Sequence, residues 1–332
     1  MTAGRTQVQN CEMEGNVVKL KSILAATVAA AMMSLSGIAA AADWKPSGTV
    51  TLQIGFGAGG ETDTLGRVIA ATMEEQTGWN VIAENKPGGG GIAMFTGIAA
   101  DKPDGSVIGL GVSMPVLINL VLRGDKLPFD LDSFDYLATV SRAQLAIVAK
   151  KDAPFDDIKS LVEYSKAEGG AAVAFDAKPQ ELILQAINAS DDAGFKPVST
   201  KSSAEMVQFV LGGQVAASFS AGKHIPYVES GELKVLASAN DGRHSYAPDV
   251  LSLREQGFDL FVDPYFYFAA PAGLPDDARE ALAEALDNAI KSAEVKKVVE
   301  SALATVPNNL GVDGTKKMML DGITGVKVLF GK

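Results

Sequence analysis

Two periodicities take turns along this chain. Residues 49–55 (TVTLQIG) read as a strand. Residues 63–76 follow at helical spacing, with Leu65, Val68, Ile69, Thr72 and Met73 on one face and Gly78 as a stop. Residues 80–84 (NVIAE) predict a second strand, 92–100 a short helix and 107–111 a third strand. Strand, helix, strand, helix, strand predicts parallel pairing with helices on both faces. The pattern then recurs. Residues 145–150 predict a strand, 155–168 an amphipathic helix (Ile158, Leu161, Val162, Ser165) and 171–175 another strand. Pro179 opens a helix over 180–188, a further helix spans 203–211, and strands follow over 215–219 and 234–238. The aromatic run 261–269 (FVDPYFYFA) reads as the return crossing, ahead of helices over 276–292 and 314–330.

The fold class this predicts is α/β, with two lobes joined by two crossings, near 142–150 and 255–268. Each lobe is expected to carry a parallel-type sheet with helices on both faces, and a hinged cleft should lie between them. The expected boundaries are 43–145 plus 262–332 for the first lobe and 146–261 for the second.

Residues 1–42 stand apart. Residues 22–42 carry no charge, follow Lys19 and Lys21, and end in Ala40, Ala41 and Ala42 before Asp43. A basic start, an apolar run and a small-residue end predict a secretory signal peptide cut before Asp43. An uncleaved membrane anchor is the alternative, because the run approaches spanning length. Glu12 and Glu14 do not suit a signal start, so translation is expected from Met13. Cys11 then lies before the cut, and the mature chain is expected to have no thiol.

Charge narrows the partners. Lys and Arg number 29 against 40 Asp and Glu, a net charge of -11, which speaks against nucleic acid and anionic membrane surfaces. The two histidines, His224 and His244, are far apart in sequence, so a histidine metal site is not expected. Both sit in polar, turn-like contexts and read as surface residues. No hydrolase or zinc-protease motif occurs, and the pairs Asp156-Asp157 and Asp276-Asp277 read as helix starts. No catalytic residue, metal or cofactor is expected.

The glycine loop carries the candidate chemistry. Gly55, Gly57 and Gly60 fit G-x-G-x-x-G after a strand and before a helix, and Glu84 ends the next strand, where a dinucleotide fold keeps its ribose-binding acid. An exported nucleotide-dependent oxidoreductase is one reading. The physics is more general, because unpaired N–H groups and the positive dipole end of a helix attract any small anion. A carboxylate suits such a cradle as well as a pyrophosphate. The signal peptide weighs against the nucleotide, and a plain tight turn stays open too.

Several blocks then occur in a fixed order. Phe56-Gly57-Ala58-Gly59-Gly60-Glu61-Thr62-Asp63 with Arg67 is followed by Glu84-Asn85-Lys86-Pro87 and Gly88-Gly89-Gly90-Gly91, then Pro103-Asp104-Gly105. Later come Leu211-Gly212-Gly213-Gln214-Val215, GELKVLA from Gly231, Arg243, Pro248-Asp249-Val250 and Ala270-Pro271-Ala272-Gly273-Leu274-Pro275. The set resembles the periplasmic solute-binding proteins of tripartite tricarboxylate transporters, the Bug or TctC family, over nearly all of the mature chain. The resemblance implies a type II Venus-flytrap fold and a periplasmic location. It implies capture of a small organic acid, a di- or tricarboxylate or related, and its delivery to the permease subunits in the membrane. A ligand-sensing partner of a membrane sensor is the alternative, and a monomer is expected.

The residues that the resemblance points to are Phe56, Gly57, Ala58, Gly59, Gly60, Glu61, Thr62 and Asp63 in the first lobe. Phe56 is expected against the ligand, Asp63 as a cap on the first helix, and a side chain at Gly59 should fill space the ligand needs. In the second lobe they are Phe175, Asp176 and Lys178, within the loop 175–180. Two departures stand out. The family's Ser- and Gly-rich second-lobe loop is here Phe175-Asp176-Ala177-Lys178-Pro179-Gln180, and its Val-Pro-Tyr-Lys-Gly is Val198-Ser199-Thr200-Lys201-Ser202. Lys178 offers a cation to a ligand, and Glu61 adds an acid to the cradle. Ser113, Met114, Phe219, Ser220 and Ala221 lie just after strands, where open α/β sheets hold ligands.

Overall fold

The structure is a computed structural model and describes residues 44–330. The signal peptide, its cleavage site and the start at Met13 lie outside the described residues. The first elements are β1 (Val50–Ile54), α1 (Glu61–Thr77), β2 (Val81–Asn85), α2 (Ile92–Ile98), β3 (Val107–Val112), α3 (Ser113–Arg123) and β4 (Phe134–Arg142). Then come β5 (Ala146–Lys150), α4 (Ile158–Ala167), β6 (Ala172–Phe175), α5 (Lys178–Asp191), β7 (Lys196–Ser199), α6 (Ser203–Leu211), β8 (Ala217–Ser220), α7 (Ile225–Glu229) and β9 (Leu233–Ser238). β10 (Tyr265–Pro271), α8 (Asp276–Lys291), α9 (Ala293–Leu303) and α10 (Gly311–Leu329) complete the chain.

Two five-stranded sheets result, ordered β2-β1-β3-β10-β4 and β7-β6-β8-β5-β9. Each defines a lobe. β2, β1 and β3 run parallel, which is the pairing that the strand–helix alternation predicts, and β7, β6 and β8 also run parallel. Both sheets are nevertheless mixed. β10 is antiparallel to β3 and β4, and β5 is antiparallel to β8 and β9. The reason is connectivity: the chain leaves the first lobe through β4 into β5 and returns through β10, so outgoing and returning strands run in opposite directions.

The helical face of α1 packs as its spacing requires, with Leu65, Ile69, Thr72 and Met73 buried. The elements that the pattern does not reveal have identifiable causes. β4 is buried along nearly all its length, so it shows no alternation. α3 is apolar on almost every face and buries seven of its eleven residues. β7 is a short, exposed edge strand containing Pro197. α9 follows α8 across Ser292, whose hydroxyl accepts from the Val295 N–H at 3.2 Å and so restarts a helix. Among the described residues no helix is long and apolar enough to cross a membrane.

The two crossings lie side by side. Ala143 N–H donates to the Pro264 carbonyl at 2.8 Å, and Arg142 pairs with Asp263. Asn240 ties them together. Its amide nitrogen donates to the carbonyls of Ala143 and Val262, each at 3.0 Å, and its oxygen accepts from Leu145 N–H at 2.7 Å.

Both histidines join this knot and are fully buried, which corrects the surface reading. His244 Nε2 faces the Asn240 oxygen at 2.8 Å, so that nitrogen carries the proton. Its Nδ1 therefore accepts from the Tyr246 hydroxyl at 2.9 Å, and the Tyr246 oxygen accepts from His224 Nε2 at 2.7 Å. Burial holds His224 down to about 3, helped by His244, and His244 down to about 4, helped by Arg142. The polar turns around both residues look like surface because their partners come from elsewhere in the fold.

Candidate functional site

β1 ends in the glycine loop, and the loop delivers the chain to α1. The N-cap of α1 is Gly60 in extended conformation, with no side chain capping the helix. The first N–H groups of any helix lack intrahelical partners. Here those of Gly60, Glu61 and Thr62 donate to no described residue. Asp63 is not the cap. Its carboxylate reaches back to the Gly59 N–H at 2.9 Å and also accepts from Asn85 at 2.8 Å and Arg67 at 2.9 Å. Asn85 in turn donates to the Phe56 carbonyl at 3.1 Å. Asp63, Arg67 and Asn85 thus brace the loop and leave its last amides bare.

The lobes meet across this loop. Gly57 N–H donates to the Lys201 carbonyl at 2.8 Å. Glu61 accepts from the Ser203 hydroxyl and, at 2.6 Å, from the Lys223 N–H, while Lys223 Nζ donates to Thr64 at 3.0 Å. Gly222 fits because it has no side chain: a Cβ there would lie 2.0 Å from the Ala302 carbonyl oxygen. The molecule is closed.

Between the lobes lies a cavity of about 60 Å³, walled by Phe56, Gly60, Glu61, Thr62, Val112, Met114, Pro115, Ala143, Leu145, Asp176, Ala177, Pro179, Gln180, Ser202, Ser203, Met206, Ala221, Val262, Pro264 and Phe266. A water needs roughly 10–15 Å³ on this measure, so the space suits a handful of waters or a compact solute. Four helices begin at this wall. α1 starts at Gly60 and Glu61, α3 at Val112, α5 at Ala177 and α6 at Ser202. Each therefore brings its positive dipole end to the wall. Thr62 is 5% exposed, and its hydroxyl bonds no described residue.

Two acids balance these helix ends. Asp176 is partly buried against the wall, and its backbone N–H donates to the Gln180 side chain at 2.8 Å. Burial, reinforced by the charge of Glu61, pushes the Asp176 carboxyl up to about 7. Among the described residues no Lys or Arg lines the cavity. Lys178 instead pairs with Glu181 at 2.8 Å, and Arg67 with Asp63.

Of the residues singled out from sequence, the fold brings Phe56, Gly60, Glu61, Thr62, Met114, Asp176 and Ala221 to the cavity wall. Gly57, Ala58, Gly59 and Asp63 stand behind it as the braced part of the loop. A Cβ at Gly59 would meet Ala204 at an ordinary 3.6 Å, so a side chain there strains a backbone at φ +81° and does not fill the cavity. Ser113 accepts from the Tyr265 N–H at 3.0 Å, Phe219 lies in the second-lobe core, and Phe175 is held by its carbonyl to Thr200. Ser220 is buried, with its hydroxyl unpartnered among the described residues.

Ser202, Ser203 and the crossing residues Ala143, Leu145, Val262 and Pro264 were missed. The helix-start signature of Ser202 was legible; the crossings carry no local signal. The dinucleotide reading fails on geometry. The Gly57 and Gly59 amides are engaged, and Glu84 is exposed and paired with Lys86 at 2.7 Å.

A family profile described as "Tripartite tricarboxylate transporter family receptor" matches residues 65–317. Protein BugT of Bordetella pertussis is 28% identical over 322 residues, covering 93% of this chain and 95% of BugT. The solved structure of the periplasmic binding protein BugD superposes with a TM-score of 0.78 at 22% identity, covering 86% of this chain and 98% of that one. MatC from Rhodopseudomonas palustris, solved with bound malate, gives a TM-score of 0.74 at 23% identity, covering 85% and 99%. These two structural likenesses concern the fold.

Proposed function

The chain belongs to the tripartite tricarboxylate transporter receptor family, and from that premise we propose that it captures a small organic acid between its lobes and hands it to the membrane subunits of a tripartite transporter. Proteins of this kind are binding proteins, not enzymes. Cleavage before Asp43 releases the chain into the periplasm in this reading.

The observation that carries it is the bare first turn of α1, opening into a cavity closed on both sides by the lobes. A ligand carboxylate accepts from the Gly60, Glu61 and Thr62 N–H groups, with the α1 dipole behind them. The malate in MatC supports a carboxylate as the anion. Ligand that touches both lobes binds the closed form better than the open one and so shifts the population toward it.

A thermal-shift panel tests the ligand class. A true ligand at about 100 times its Kd adds about 2.7 kcal/mol of stability. The reading expects an organic acid among the hits, and hits confined to neutral sugars overturn it. The transport step predicts that deleting the gene stops uptake of the stabilising acid; unchanged uptake would refute delivery while leaving binding intact.

A further inference from the structure

We infer that this cavity takes a small zwitterion and rejects di- and tricarboxylates, with Glu61 and Asp176 as the residues that set this choice. The inference rests on the cavity being the ligand site proposed above.

The argument is one of charge. Each helix N-terminus carries about +0.5 of an elementary charge, so the four ends at the wall supply about +2. Two acidic side chains, Glu61 and Asp176, stand at the same wall and offset that sum. Among the described residues no lysine or arginine lines the cavity to restore a positive field, since Lys178 and Arg67 are paired outside it. A dianion would bring its second charge against a wall that already holds two acids. Like charges held together away from water are strongly disfavoured. A plain monocarboxylate satisfies the α1 amides but leaves both acids without a cation.

A zwitterion matches every group. Its carboxylate accepts from the bare N–H groups of Gly60, Glu61 and Thr62, and Thr62 adds a hydroxyl that no other described residue bonds. Its ammonium donates toward Asp176 and Glu61. Glu61 retains room for this, because a carboxylate offers roughly four acceptor sites and the cross-lobe bonds from Ser203 and Lys223 occupy two. The position of Asp176 beside Glu61, with burial pushing its carboxyl up to about 7, shows the strain that an ammonium would relieve. The cavity of about 60 Å³ limits the solute to a few carbons.

The test is a set of thermal melts on the mature protein with probes that share a skeleton and differ in charge. Alanine, β-alanine and 4-aminobutyrate are the zwitterions, malonate and succinate the dianions, propionate and butyrate the monoanions, and glucose the neutral control. A zwitterion should raise the melting temperature by several degrees while neither dianion does so. Asp176→Asn, which keeps the cross-lobe bonds of Glu61, should weaken the zwitterion shift. The double variant Glu61→Gln/Asp176→Asn should admit malonate or succinate. A melt raised by a dianion in the unaltered protein, no shift with any zwitterion, or a preference untouched by Asp176→Asn would each overturn the inference. A shift with simple carboxylates alone leaves the organic-acid reading standing. A shift with glucose alone removes both.

Discussion

The cavity and the hinge each bury a pair of titratable side chains, and they keep them in different ways. Glu61 and Asp176 face a hollow, Glu61 held by the Ser203 hydroxyl and the Lys223 N–H and neither paired with a cation at the wall. His224 and His244 sit in solid protein, joined through Tyr246 and Asn240 in a chain where each proton has one consistent place. Burial suppresses charge in both places but moves the pKa values in opposite directions, Asp176 up to about 7 and the histidines down to about 3 and 4. The hinge chain involves no ligand, and only the His224 Nδ1 in it is left without a partner among the described residues. The cavity holds two acidic side chains that no cation at its wall pairs.

The sharpest way to break this contrast is at Asn240. Asn240→Leu removes its bonds to Ala143, Val262, Leu145 and His244 and strands buried partners. A loss of about 4 kcal/mol in urea unfolding is expected.

Acid should come next. Each histidine is kept neutral well below its unfolded value of 6.5. Its contribution is therefore present above that value and falls away as the pH drops toward 4. The loss is on the order of 3 kcal/mol, read as melting temperature against pH. His224→Gln should flatten that limb.

Gly57→Val tests closure. A Cβ there would sit 3.0 Å from the Lys201 carbonyl oxygen, so the side chain holds the lobes apart. Ligand affinity should fall about tenfold by calorimetry, which is about 1.4 kcal/mol.

Asp176 works against the histidines. Its folded pKa near 7 exceeds the unfolded 3.8, so its share of stability is present below 3.8 and is lost as the pH rises through about 7. Asp176→Asn should therefore stabilise the ligand-free protein on the order of 1 kcal/mol near pH 8 and little near pH 4. Lys178→Ala is the smallest change. The partly exposed Lys178–Glu181 pair lies off the cavity wall, so affinity should hold and stability move by less than about 0.5 kcal/mol.

Legibility followed locality. The first parallel strand trio and the phase of α1 were readable because period 2 and period 3.6 are written within a dozen residues. Gly60, Glu61 and Thr62 were readable because the loop and its helix are continuous in sequence. The role of Asp63 was half readable: it holds the α1 start, but by reaching back to Gly59, which only the folded loop shows. β4 and α3 were hidden by uniform burial, which erases the periodic signal. The histidines were misjudged because Asn240 and Tyr246 reach them through the folded chain.

The sequence alone determined that there are two α/β halves, where the chain crosses between them, and that a glycine-rich turn opens a helix whose first amides are left bare. These follow from local spacing and backbone chemistry. Which side chains face the enclosed space was decided by the tertiary structure. Bringing two carboxylates, one from the start of α1 and one from the loop after β6, to one wall, while turning the nearby cations outward, depends on how two sheets dock, and no local pattern encodes that distance.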